Sequence, residues 1–124
     1  MEIVKMMVET ENSKQSREIM RTMGMPANHR IFKWIEAGDY RMSIQASEYH
    51  YCEPRLTLED LSNYEEMELA LFKNGKWVQP REDEKIKSFP RYAELEERYE
   101  KGNVAVAGYV PVDLLQDLYD YLSA

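Results

Sequence analysis

The stretch YRMSIQASEYHYC, Tyr40 to Cys52, decides the fold class. Met42, Ile44 and Ala46 alternate with Arg41, Ser43, Gln45 and Ser47, the period-two pattern of a strand with one buried and one polar face. His50 and Cys52 continue on the apolar parity, and Tyr49 and Tyr51 join the polar one. Glu53-Pro54-Arg55 ends the predicted strand, because proline has no N–H to give a ladder. Further on, Met67, Leu69 and Leu71 alternate with Glu68 and Ala70 and run into Asn74-Gly75. Both of those residues accept positive φ, so they predict a two-residue hairpin returning through Lys76-Trp77-Val78.

Outward from this centre the elements are mixed. Glu2 to Val8 reads as a strand through Ile3, Val4, Met6, Met7 and Val8. Asn12 or Ser13 caps a helix reaching about Met23, with Gly24 in the position after its end. Ile31, Trp34 and Ile35 fall at helical spacing between Asn28 and Gly38 and predict a short helix. The other reading of that segment is a strand turning at Ala37-Gly38-Asp39. Leu56 to Asn63 reads as a loop with some helical character, and Gln79 to Lys87 as a charged excursion. Pro90 suits the first position of a helix striped by Tyr92, Leu95 and Tyr99 and stopped by Gly102. A strand follows over Asn103 to Val110. After the Gly-Tyr-Val-Pro strand end comes a last helix with Leu114, Leu115, Leu118 and Leu122 inward and Asp113, Asp117 and Asp120 outward. The expected fold is a single compact α+β domain over residues 1–124, an antiparallel sheet of about five strands with helices packed at one side.

The chain has 124 residues, a formal net charge of −7 and 44% hydrophobic residues. That length is one domain by the usual prior, and the apolar share excludes wholesale disorder. No apolar run is long enough to span a bilayer. The opening MEIVKMMVET lacks a signal-peptide layout, since Lys5 and Glu9 break its short apolar stretch. The single Cys52 cannot form an internal disulfide and suits a reducing cytoplasm. The acidic balance argues against DNA or RNA polymers and anionic membranes as partners.

His50 and Cys52, two apart on one predicted strand, are too few ligands for zinc, and a packed pair is the simpler reading. No glycine-rich phosphate loop is present. Acidic pairs such as Glu96-Glu97 read as solvated faces rather than acid–base machinery. Neither a metal nor a cofactor is expected. The nine tyrosines are more informative, because each has a flat apolar face and a polar tip. An aromatic face beside an arginine fork is what a nucleotide needs, one part for the base and one for phosphate. Arg55 and Arg91 are the best diphosphate partners. Phe89 and Tyr109 are the best stacking faces, and Asn103, His50 and Gln45 are placed to bond ribose or base edges. The tyrosine-rich strand face and the methionines predict a homo-oligomer.

Three segments, SIQASEYHYCEPR (Ser43–Arg55), MELALFKNGKWV (Met67–Val78) and VAVAGYVPVDLLQDLYDYL (Val104–Leu122), carry a resemblance in their order and spacing. The chain resembles the first type of phage Thoeris anti-defence protein over its last two-thirds. The resemblance implies a non-enzymatic sponge that sequesters a cyclic ADP-ribose isomer made by TIR-domain proteins, in the host cytoplasm. It also implies oligomers, and separate sites for cyclic oligonucleotides in some members. It maps no ligand residue, so the seven site residues rest on their chemistry alone. The alternative is an acidic, DNA-mimic-like inhibitor that blocks a host protein, motivated by the net charge and the aspartates of the last helix.

Overall fold

The computed structural model describes residues 2–101 and 105–124. Its fold is α+β, an open antiparallel sheet of five strands with helices and a C-terminal helix directly after the last strand. The elements run α1 (Glu2–Lys5), α2 (Glu11–Thr22), β1 (Ile35–Ala37), β2 (Tyr40–Gln45), β3 (Glu66–Lys73), β4 (Lys76–Trp77), α3 (Glu84–Lys87), α4 (Tyr92–Lys101), β5 (Ala107–Pro111) and α5 (Val112–Ser123). Strand β3 is the spine. One of its edges pairs with β2 along the full length of β2, and the other is shared by β5 at the Glu66 end and β4 at the Lys73 end.

The register sorts the side chains. Met42 faces Leu71 and Ile44 faces Leu69, so Tyr40, Met42, Ile44, Met67, Leu69 and Leu71 line one face and are fully buried. Val110 joins them opposite Met67, and Leu95 of α4 with Leu114, Leu115, Leu118 and Leu122 of α5 complete the core. Each such side chain contributes about 1.5–3 kcal/mol by leaving water. The other face carries Arg41, Ser43, Gln45, Glu68, Ala70 and Phe72; it is called the outer face below.

The expected hairpin is present, with Asn74 and Gly75 at φ 54° and 74°. Helix α2 is capped by Thr10, not by Asn12 or Ser13, which lie inside it: the Thr10 hydroxyl accepts from the Ser13 N–H. Gly24, at φ 71°, and Met25 close its far end by donating to Arg21 O and Met20 O. The α5 stripe is buried as its leucine spacing requires.

Four further readings are corrected. Residues Glu2–Lys5 are helical, not extended; the Gln116 amide oxygen takes the Ile3 N–H, and Ile3 in the helix and Met7 beyond it both enter the core. The Ile31–Ile35 segment is not a helix. Phe32 bridges to Glu9, and Ile35–Ala37 forms a strand turning back through Gly38-Asp39, so the alternative reading holds. The Tyr40 strand ends at Gln45 rather than Cys52. The Ser47 hydroxyl accepts the Tyr49 N–H and the Ser47 carbonyl accepts the His50 N–H, a local turn that takes the chain off the ladder. His50 and Cys52 are buried by that turn, not by strand parity. Helix α4 starts at Tyr92, two residues past Pro90, with the Leu95 N–H on the Arg91 carbonyl. The stop at Gly102, site residue Asn103 and the strand start before Ala105 lie outside the described residues.

Candidate functional site

Four of the seven expected site residues gather on or beside the outer face, at the end where β5 joins β3. The pairing there is irregular. Met67 faces Val110 and Leu69 faces Ala107, so Glu68 stands opposite both Gly108 and Tyr109, a β-bulge. Tyr109 occupies the left-handed region at φ 55°, a conformation that non-glycine residues avoid. Its backbone is held from both sides: its N–H donates to Tyr51 O at 3.0 Å, and its carbonyl accepts from Arg98 Nη1 at 3.1 Å. Local strain persists where surrounding bonds over-determine it.

The bulge sets the Tyr109 ring 6.1 Å from that of Tyr51, and the Arg55 guanidinium lies over Tyr51 at 5.3 Å. Arg55 is exposed and donates through Nε to the Glu48 carbonyl at 3.1 Å, which fixes its plane. Among the described residues no carboxylate lies within ion-pairing range of Arg55. His50 is beside this row, its Nδ1 2.7 Å from the Ser47 hydroxyl and its ring stacked on His29 at 5.8 Å. Burial, with nearby cationic groups second, pushes the His50 imidazole down to about 4. It is therefore neutral at pH 7, and its 3.9 Å approach to Glu68 is not an ion pair there. Burial raises the Glu68 carboxyl, opposed by the Tyr51 N–H and by the charge of Arg55. Gln45 is used by the fold: its amide accepts the Phe32 N–H at 2.8 Å and donates to the Phe32 carbonyl at 2.9 Å.

Arg91 and Phe89 lie elsewhere. Arg91 is clamped by Glu94 at 2.5 Å, Asp117 at 2.7 Å and Asp113 at 3.0 Å. Those bonds raise its pKa, and one cation among three carboxylates leaves a local charge that repels a phosphate. Phe89 is buried against Tyr121, 5.2 Å between ring centres, with no face open for stacking. Among the described residues no group of three His, Cys, Asp or Glu side chains is arranged to hold a metal, and no helix is long and apolar enough to cross a membrane.

The sequence reading missed an aromatic row at the opposite end of the same face. Phe72 lies 4.5 Å from Trp77 and 6.5 Å from Trp34, and both tryptophans are about half exposed. The signal was in the hairpin, since a two-residue turn at Asn74-Gly75 pairs residue 72 with residue 77. No family model, no curated protein and no solved structure matches the chain.

Proposed function

We propose that the protein is a phage anti-defence sponge that binds a TIR-generated cyclic ADP-ribose nucleotide and holds it without turnover. The observation that carries this reading is the Arg55–Tyr51–Tyr109 row. It joins an exposed guanidinium with no carboxylate in ion-pairing range to two aromatic rings, one of them set by a strained backbone. Arg55 supplies the forked donor for the diphosphate, and the tyrosines supply a flat surface for the purine. His50, neutral at pH 7, contributes a hydrogen-bonding edge and no charge. The order and spacing of the three segments that resemble the Thoeris anti-defence family support the same reading, with the host cytoplasm as its place of action.

The test is calorimetric titration with cyclic ADP-ribose isomers, followed by mass spectrometry of what heating releases. Tight binding, intact nucleotide on release and a loss of roughly 2 kcal/mol or more in Arg55→Ala are expected. A cleaved product makes the protein an enzyme. No binding of any isomer, with a basic host protein co-purifying instead, favours the acidic inhibitor.

A further inference from the structure

We infer that the groove running along the outer face from Trp34 to Gln45 is a binding site for a planar aromatic anion. It rests on different observations from the nucleotide reading. Residues 8–10 and 31–33 form a short ribbon across the sheet, joined by Thr10 N–H to Ile31 O and Lys33 N–H to Val8 O. Between this ribbon and the strands lies a cavity of about 700 Å³ whose walls include Phe32, Trp34 and Phe72, with Lys33, Glu36 and Ser43 as polar groups. That size and that mixture, mostly apolar walls with a few placed polar groups, are those of small-molecule sites.

The walls are preformed. The Phe32 backbone is fixed by both ends of the Gln45 amide, and Phe72 is held between Trp34 and Trp77. A ligand therefore meets rings already in place, which lowers the ordering cost of binding. Trp34 is 53% exposed at the rim; the Arg41 guanidinium lies over its ring at 4.5 Å, and the exposed remainder offers an edge and a face to a flat ring.

The charges around the cavity select the sign of the ligand. Glu36 is paired with Arg41 at 3.0 Å, so that carboxylate and that guanidinium offset each other. Lys33 is exposed, and among the described residues no carboxylate lies within ion-pairing range of it. Behind the Phe32 wall, Arg30 is buried with its guanidinium 4.8 Å from the ring centre. Its Nη donors go to Leu58 O, Ala46 O and Tyr64 Oη, its buried Nε has no partner, and the Glu9 carboxylate acts on it through space. In a chain of net charge −7, the lining of this cavity holds one acid, offset by Arg41, and one cation, Lys33, with no carboxylate in ion-pairing range. An anionic group at the mouth, on a ring lying against Trp34 and Phe72, satisfies both features.

The probes are 2-naphthoate and its uncharged isostere 2-naphthamide, titrated while the two indole N–H resonances are followed by NMR. Trp34 is expected to shift, with naphthoate bound about tenfold more tightly than the amide. Lys33→Gln removes that preference and leaves amide binding unchanged. Trp34→Ala, at an exposed position that the core does not need, weakens both ligands. Arg55→Ala changes neither, which separates this site from the nucleotide site. Equal affinity for acid and amide, a preference that survives Lys33→Gln, shifts that bypass Trp34, or no binding at all each overturn the assignment.

Discussion

Gly38→Ala tests how the C-terminal helix fixes the hairpin that carries Glu36 and Arg41. Gly38 turns β1 into β2 at φ 62°, and a Cβ placed there meets Leu122 O at 2.1 Å and the Leu122 carbonyl carbon at 3.3 Å. Both atoms are backbone, so no rotamer change relieves the contact; the last turn of α5 or the hairpin must move. The left-handed conformation costs a side chain about 1–2 kcal/mol, and forced displacement of packed structure adds about 1–3 kcal/mol. The control is Gly75→Ala. Gly75 has φ 74° with open space around it, so it bears the first cost alone. The entropy that alanine removes from the unfolded chain is common to both variants and cancels in the comparison. At roughly 3–5 °C per kcal/mol for a domain of this size, Gly75→Ala is expected to lower Tm by about 5 °C and Gly38→Ala by about 10 °C or more. Scanning calorimetry with urea titration measures both. Equal losses would refute the claim that α5 presses on the hairpin.

His50 has a depressed folded pKa, about 4 against 6.5, so its neutral form is favoured by folding and stability is lost as pH falls from 6.5 towards 4. A loss of about 1–2 kcal/mol over that window is expected, flattened in His50→Asn; because Glu68 has the opposite sign, urea titrations of the two proteins at each pH must be compared as a difference. Arg91→Gln is expected to cost about 1 kcal/mol, less at high salt since its partners are largely exposed, and to leave nucleotide binding unchanged; a loss of binding by calorimetry would move the phosphate site. The protein is expected to be at least a dimer at micromolar concentration by light scattering, because α2 turns Ile19 and Met23 outward at 61% and 67% exposure, with Ile19→Lys shifting it towards monomer. A monomeric parent protein would count against that.

What was legible in the sequence followed from periodicity and turn chemistry. The alternation of β2 as far as Gln45 and of β3, the Asn74-Gly75 turn and the leucine stripe of α5 each rest on a repeating apolar pattern or a turn signal, and these appear as read. The misread segments are those where a side chain does the work of a backbone ladder. Phe32 is extended because the Gln45 amide takes both of its backbone groups. Ser13 and Arg17 face inward on α2 because Glu9 binds both, at 2.6 and 2.7 Å, while the apolar Ile19 and Met23 point out. Such contacts join residues many positions apart and leave no period to read.

The same distinction decides the site. Arg55 and Arg91 look alike in the sequence, each an arginine near an aromatic residue and a proline. The difference lies in what long-range folding brings to them. Helix α5 places Asp113 and Asp117 on Arg91, twenty-two and twenty-six positions away, and Glu94 completes the clamp. Arg55 bonds a carbonyl and lies over a tyrosine ring, and Glu68 acts on it only through space. An arginine already hydrogen-bonded to carboxylates must give up those bonds to take a phosphate, while one resting on a ring keeps its stack and gains the new bonds outright. Net charge cannot separate the two cases, because it averages over both surroundings. The proposed binding of an anion by this acidic chain therefore rests on which of its sixteen lysines and arginines the fold leaves without an ion-paired acid, and Arg55 and Lys33 are cations of that kind beside one sheet face.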